Sequence, residues 1–219
     1  MERAKHLIKL LKSFSEWSIG GSSTQVTASS SEDFTEKCIK EAYPDAKIYK
    51  LGSQQHPDFM IVPSKYKIFI ESFRKADKKS KITLGVLRKW EASESNKDKL
   101  RIARVEVKTG ASVYTLNDTF PEPSIERDEI YVLLSLGEKR VYVTTSFTMA
   151  QNCHATPPVE ERFENSKKTV AKFGKNLEDI WKGTGVSTAA RPTYRIDKSY
   201  AHHEASAERI SKIFSEAGF

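Results

Sequence analysis

The sequence predicts an α/β fold with one mixed central β-sheet flanked by helices. Two observations support this prediction: apolar residues recur at helical spacing near both ends of the chain, and they alternate with a period of two between residues 46 and 145. The resulting order of helix, helix, strands, helix, helix is typical of helices packed around a single sheet. With 219 residues, 38% of them hydrophobic, we expect one domain around one core.

The first part of the chain predicts two helices. A first amphipathic helix is predicted over residues 2–17, and the Ser-, Thr- and Gly-rich stretch 18–31 is predicted as a loop. Ser30 and Asp33 resemble a capping box, so the second helix is expected to follow them and to end near Tyr43, before Pro44.

The middle of the chain predicts the strands. Seven segments have strand-like patterns: Ala46–Leu51, Asp58–Val62, Tyr66–Phe73, Lys81–Leu87, Arg101–Lys108, Glu129–Leu136 and Arg140–Thr145. A tight turn around Gly137-Glu138 joins the last two. A long helix over about Val159–Lys182, a loop over Gly183–Lys198 and a final helix near Tyr200–Ala217 complete the prediction. The single domain thus divides into an N-terminal helix and linker (1–30), a core (31–150) and a C-terminal helical region (151–219).

The charge of the protein is concentrated in one segment. The formal net charge is +7 and the pI about 9.2. Residues 65–108 contain 14 Lys or Arg against 6 Asp or Glu. The local excess of +8 is larger than the net charge of the whole chain. Such a patch favours a polyanionic partner, because Lys and Arg release counterions when they contact phosphates. A solvated charged hairpin explains the same composition.

Composition also indicates the compartment. Two cysteines, Cys38 and Cys153, do not make a disulfide framework, and no apolar run has the roughly 18–20 residues of a membrane helix. The first residues lack the apolar stretch of a secretory leader. We therefore expect a cytoplasmic protein with free thiols.

Three residues form the strongest candidate catalytic site. Asp58 follows Pro57 at the start of an apolar strand, where a carboxylate needs a partner such as a metal ion. Glu106 and Lys108 lie two residues apart on one face of another predicted strand. Two carboxylates suit Mg²⁺, and a lysine can orient or deprotonate the attacking water or neutralise charge on a phosphate. An ordinary cross-strand ion pair is the alternative.

The bare pattern is not specific to this site. Acid-x-Lys triplets also occur at Asp45-Ala-Lys47 and Asp77-Lys-Lys79, and Asp45 also follows a proline. Only Glu106-Val-Lys108 lies in a convincing strand downstream of a second strand that begins with Pro-Asp.

Pro57-Asp58 together with Glu106-Val107-Lys108 resembles the signature of the PD-(D/E)XK nuclease superfamily. The resemblance implies a mixed sheet flanked by helices, a Mg²⁺ cofactor and cleavage of DNA. The candidate metal ligands are Asp58, Glu106 and Val107. Many members have a further acidic residue on the preceding helix. Glu36 is the best match for it, with Asp33 and Glu41 as rivals, although a solvated helix face explains all three.

The spacing departs from the family pattern. Asp58 and Glu106 are 48 residues apart, a wide gap that we expect an inserted basic hairpin, Tyr66–Leu87, and the polar link Glu91–Lys99 to fill. The hairpin is a candidate DNA clamp or dimer arm, and Lys79 and Lys81 are its candidate DNA contacts.

The segment after the motif favours one role within the family. The run from Tyr114 to Pro121 resembles a passage of several type II restriction enzymes, which implies that Asn117, Asp118 and Thr119 lie near DNA; a simple turn is the alternative. Side chains of the 183–198 loop are candidates for base reading: Arg191, Tyr194 and Arg195. The resemblance thus implies a type II restriction endonuclease that cuts double-stranded DNA, and the symmetry of its sites implies a homodimer.

Two other functions fit the same residues. A structure-selective repair or recombination nuclease would use the same fold on branched or damaged DNA. A non-catalytic nucleic-acid-binding module would keep the acidic pair for structural reasons, and would bind DNA with a steep salt dependence and without cleavage.

Overall fold

The computed structural model describes residues 1–13, 24–51, 57–110, 113–115, 128–135, 140–146, 148, 193–195 and 204–219. The helices among them are α1 Glu2–Lys12, α2 Thr24–Ala42, α3 Lys67–Ala76, α4 Leu84–Ala92 and α5 Ala207–Glu216, with a 3-10 turn at Ser64–Tyr66. The strands among them are β1 Ala46–Lys50, β2 Phe59–Pro63, β3 Ala103–Gly110, β4 Val113–Thr115, β5 Ile130–Ser135, β6 Arg140–Thr145 and β7 Thr193–Arg195. No helix of this described part is long and apolar enough to cross a membrane.

Five strands form one mixed sheet in the order β1-β2-β3-β5-β6. β1, β2 and β3 are antiparallel neighbours, β5 runs parallel to β3, and β6 is antiparallel to β5. The central strand β3 therefore lies between an antiparallel and a parallel partner. β4 and β7 form a separate two-stranded pair. The predicted mixed sheet with flanking helices is confirmed.

The two faces of the sheet are covered by different helices. On the back face, Phe59, Ile61 and Val105 pack in one core with residues of α1, α2 and α5. On the front face, Met60 and Val62 pack with residues of α3 and α4. Successive residues of a strand point to opposite faces, so this alternation also places the even-numbered residues of β3 on the front face.

The last helix completes the back face. Phe214 is buried and its ring stacks on that of Tyr43, 3.9 Å between centroids. The backbone N–H of Arg101 donates to the carbonyl of Glu216, and that of Ala205 donates to the carbonyl of Val143 on β6. The C-terminal helix is thus part of the main core.

Two predicted strands are wrong. The segment Tyr66–Phe73 belongs to the 3-10 turn and α3, and Lys81–Leu87 leads into α4, so the inserted segment is a pair of helices and not a β-hairpin. α3 buries Ile70, and Thr83 caps α4 by accepting from the backbone N–H of Val86.

Two predicted loops also need correction. The 18–31 stretch is helical from Thr24 onward, and residues 193–195 of the 183–198 loop form β7. The other predicted strands and the described part of the first helix are confirmed with small shifts of their ends. The last helix is present but begins at Ala207, because residues 204–206 are not helical. The Gly137-Glu138 turn and the 159–182 helix lie outside the described residues.

Candidate active site

Asp58 lies at the entrance of β2, next to the end of β1. Its carbonyl accepts a hydrogen bond from the backbone N–H of Leu51 at 2.9 Å, which extends the β1–β2 pairing by one step. Pro57 before it is buried. Because Met60 and Val62 face the front, the same alternation directs Asp58 to the front face, on which Glu106 also lies.

Asp58 and β3 are joined by reciprocal hydrogen bonds. The backbone N–H of Asp58 donates to Oε2 of Glu106 at 3.0 Å. The backbone N–H of Val107 donates to Oδ2 of Asp58 at 2.7 Å. The two carboxylates that are 48 residues apart in the sequence therefore lie side by side on neighbouring strands.

Lys108 completes the group. Its Nζ forms an ion pair with Oε1 of Glu106. The Glu106 side chain is 1% exposed, whereas that of Lys108 is 24% exposed. The lysine therefore links a buried carboxylate to solvent, and the predicted cluster of Asp58, Glu106 and Lys108 is present in the structure.

The site favours positive charge. The pKa of Asp58 is raised from 3.8 to about 7, first by burial and then by the negative charge of Glu106; the hydrogen bond from Val107 and the charge of Lys108 oppose this rise, and Glu32 adds to it. A cation between the two carboxylates would relieve both the burial cost and the repulsion. The donor set of two carboxylates therefore fits Mg²⁺, which commonly takes one or two carboxylates and keeps several waters. Within the described ranges, no group of three His, Cys, Asp or Glu residues is placed to hold a metal ion.

Glu32 is an acidic residue of α2 whose negative charge acts on Asp58, and it is not among the acids predicted from the sequence. It lies on α2 and, together with Asp33, forms an ion pair with Lys50 at the end of β1. Glu36 forms an ion pair with Lys40 on its own helix. The neighbouring Ser31 is buried, and its hydroxyl lies 3.4 Å from that of Thr109 on β3, so this part of α2 contacts the strand that carries Glu106.

The remaining rival, Glu41, is directed elsewhere. Its carboxylate lies 3.6 Å from Nε2 of His6 on α1. To select Glu32 from the sequence, one would need to know that α2 begins at Thr24 and which of its sides contacts β3, and neither was readable from the apolar pattern.

A second buried polar group adjoins the site on the front face. Arg104 Nη1 lies 3.1 Å from Glu129 and Nη2 lies 3.2 Å from Glu91 of α4, and all three side chains are less than 10% exposed. Glu91 also accepts from the backbone N–H of Ile102 at 2.8 Å. Arg104 therefore ties β3 to the helix pair that covers the front face.

Tyr131 lies on β5, the strand next to the one that carries Glu106. It is paired in register with Glu106 and is fully buried. Burial raises the pKa of its hydroxyl well above 10, and the charges of Glu129, Glu106 and Asp58 add to the rise. Tyr131 is therefore a neutral phenol beside the carboxylates.

The predicted DNA contacts that the structure describes lie on elements other than those that hold Asp58, Glu106 and Lys108. Lys79 and Lys81 are exposed near the helix pair. Tyr194 and Arg195 belong to β7, paired in backbone register with β4. The other predicted contacts lie outside the described residues: Asn117, Asp118, Thr119 and Arg191.

Comparisons with protein-family models, with curated proteins and with solved structures give no match for this chain. The assignment of a function therefore depends on the residues and their geometry.

Proposed function

We propose that this protein is a Mg²⁺-dependent endonuclease of the PD-(D/E)XK type that hydrolyses phosphodiester bonds of double-stranded DNA. The observation that supports the proposal most strongly is the pair of reciprocal hydrogen bonds between Asp58 and the Glu106-Val107 peptide, with Lys108 bonded to Glu106. Neighbouring strands thus hold all three motif residues at one point.

Each residue has a defined chemical task in this proposal. Asp58 and Glu106, with Val107 beside them, would hold the ion. A bound Mg²⁺ would polarise the scissile phosphate and lower the pKa of a bound water. Lys108 balances the charge of Glu106 in the metal-free protein, and its partly exposed ammonium can neutralise charge that develops on the phosphate or orient the attacking water. Glu32 adds negative charge at the helix side of the site.

The proposed role is that of a type II restriction enzyme that acts as a homodimer and cuts a short specific sequence. The excess of Lys and Arg in residues 65–108 supports duplex DNA as the substrate. The resemblance around Asn117-Asp118-Thr119 supports the restriction role, because a similar run follows the catalytic lysine in several type II restriction enzymes.

The test is digestion of plasmid and phage-length DNA by the purified protein in Mg²⁺ and in EDTA. We expect discrete fragments in Mg²⁺ alone. Asp58→Ala, Glu106→Ala and Lys108→Ala should each abolish cleavage while the protein stays folded by circular dichroism. Asp45→Ala is the matched control, since Asp45 also follows a proline and precedes a lysine by two residues, yet it is exposed and paired with Arg3.

Each other outcome has a clear meaning. Full activity in the Asp58 or Glu106 variant would refute the catalytic assignment. Cleavage of junctions, nicks or mismatches but not of intact duplex would favour a repair or recombination nuclease. Salt-dependent DNA binding without any cleavage would favour the binding module.

A further inference from the structure

The outer side of α3 combines apolar and basic side chains in an unusual way. Ile68 is 74% exposed and Phe69 is 59% exposed; apart from Met1, no other large hydrophobic residue is exposed among those whose side chains the structure describes. A single exposed apolar residue needs no explanation, but two large neighbours on a rigid helix indicate a contact surface.

Basic residues flank this apolar pair. The α3 surface, as we define it, consists of exposed side chains on the outer side of the helix and just before it: Lys65, Lys67, Ile68, Phe69 and Lys75. Among described residues, no carboxylate lies within ion-pair distance of Lys67 or Lys75. The charges of Lys67 and Lys75 are therefore directed at solvent, whereas Lys65 Nζ lies 5.0 Å from the centroid of the Tyr66 ring.

The helix is firmly seated, so the surface is preformed. Ile70 is fully buried and Phe73 packs in the same front-face core as Trp90. The 3-10 turn Ser64–Tyr66 follows directly on β2, at the end of the strand opposite to Asp58, so β2 connects the candidate active site to α3.

We propose that the α3 surface is a docking surface for duplex DNA, with Ile68 and Phe69 against the sugars and base edges of a groove and the lysines on the phosphates at either side. Charge complementarity selects this occupant: a second copy of the chain across a two-fold axis would bring lysines against lysines, whereas a phosphate backbone neutralises them. Apolar side chains between flanking basic residues are a known means of engaging the minor groove. The inference rests on the proposed nuclease function, because it names the surface that presents DNA to that site.

The first experiment measures binding of the full chain to a fluorescein-labelled 30-base-pair duplex of mixed sequence by anisotropy, in EDTA so that no cleavage occurs. Ile68→Ala/Phe69→Ala should weaken binding by about tenfold and leave the salt dependence unchanged, because it removes apolar contact alone. Lys67→Gln/Lys75→Gln should weaken binding and reduce the slope of log K against log salt by about 1.8, which corresponds to two phosphate contacts.

The control is Lys9→Gln/Lys37→Gln, which removes the same charge from two exposed lysines of α1 and α2 on the back face. It should leave the affinity within about twofold of the wild type, since weak long-range charge effects are screened at 0.15 M salt. An equal loss in the control and in the Lys67/Lys75 variant would overturn the proposal, because net charge would then explain both.

Further readouts separate the other occupants and the failure of the nuclease function. Unchanged DNA affinity in both α3 variants overturns the proposal. If Ile68→Ala/Phe69→Ala then dissociates a dimer in sedimentation, the surface binds a second copy of the chain; if it abolishes binding to phosphatidylserine vesicles, the surface binds a membrane.

If the α3 variants weaken binding but the wild type cuts no DNA in Mg²⁺, the docking surface stands and the nuclease function fails. If the wild type cuts DNA and the α3 variants bind and cut equally well, only the docking surface fails.

Discussion

Replacement of Asp58 by Asn should stabilise the metal-free protein, and the gain should grow with pH. The carboxylate is partly buried beside Glu106, and its pKa is raised to about 7 in the folded protein from an ordinary value of 3.8. Asn has nearly the same shape and can still accept the hydrogen bond from the backbone N–H of Val107. The substitution therefore removes the negative charge and its repulsion, with little change in packing.

The size and direction of the effect follow from the pKa of Asp58. A folded-state pKa above the unfolded one means that the folded protein keeps a proton that the unfolded chain has lost, so stability is fully present below about pH 3.8 and is lost as pH rises through 7. The total loss is equivalent to about 4 kcal/mol of the free energy of unfolding, and more than half of it falls between pH 5 and pH 7.5. The Asp58→Asn variant escapes this loss, because its amide does not titrate in this range.

The assay is urea unfolding in EDTA at several values between pH 5 and pH 7.5. We expect the advantage of Asp58→Asn over the wild type to increase by about 2–3 kcal/mol across this range. Asp98→Asn is the control, because Asp98 is an exposed carboxylate that accepts one hydrogen bond, from Tyr66, which an amide can also accept. An advantage for Asp58→Asn that stays constant with pH would refute the reasoning. Added Mg²⁺ should stabilise the wild type and not Asp58→Asn.

Three further predictions concern the core. Arg104→Ala should lower the free energy of unfolding by about 3–5 kcal/mol in urea titrations, because it leaves the carboxylates of Glu91 and Glu129 buried without their cation; a loss below about 1 kcal/mol would show that these charges are solvated. Phe214→Ala should cost about 4 kcal/mol in the same assay, since its ring is 1% exposed in the back-face core; a near-neutral effect would mean that α5 is not docked in solution. Burial, together with the charge of a nearby glutamate, raises the pKa of the Cys38 thiol to about 12. In a variant with the other cysteine changed to serine, we therefore expect no maleimide labelling at pH 8 until urea unfolds the protein. Rapid labelling of the native state would contradict this.

The strands that build the site could be predicted because each is either buried along its whole length or alternates between apolar and polar residues. β2 and β5 are buried along their whole length, and in β3 the polar Glu106 alternates with the apolar Val105 and Val107. Such patterns leave few alternatives to a strand. The motif residues could therefore be assigned to strands, although their mutual contact depends on the register between β2 and β3, which only the structure supplies.

The helix pair could not be predicted from periodicity. The run Tyr66-Lys67-Ile68-Phe69-Ile70 is rich in β-branched and aromatic residues, which favour a strand. In the structure Ile68 and Phe69 are exposed while Ile70 is buried. The exposed apolar residues therefore hide the 3.6-residue spacing by which an amphipathic helix is recognised. Thr83 was the readable signal, since a threonine before an apolar run often caps a helix.

The start of α2 was missed for a related reason. Its first turns consist mostly of small hydroxyl-bearing residues, which favour loops when they are alone. Ser31 and Thr35 are nevertheless buried, Thr35 bonding to the carbonyl of Ser31 and Ser31 lying 3.4 Å from Thr109 on β3. Packing against the sheet thus determines where α2 begins, and the local sequence pattern does not indicate this.

The position of α5 has a consequence for how the protein is made. The back-face core joins Leu7 and Leu11 of the first helix to Ile210 and Phe214 of the last, which are separated by nearly the whole chain. Contacts of this range form slowly, and an unfinished core exposes apolar surface to other chains. A nascent chain in which residues 207–219 are still inside the ribosome therefore presents an open hydrophobic face, and the native structure forms only after these residues have emerged.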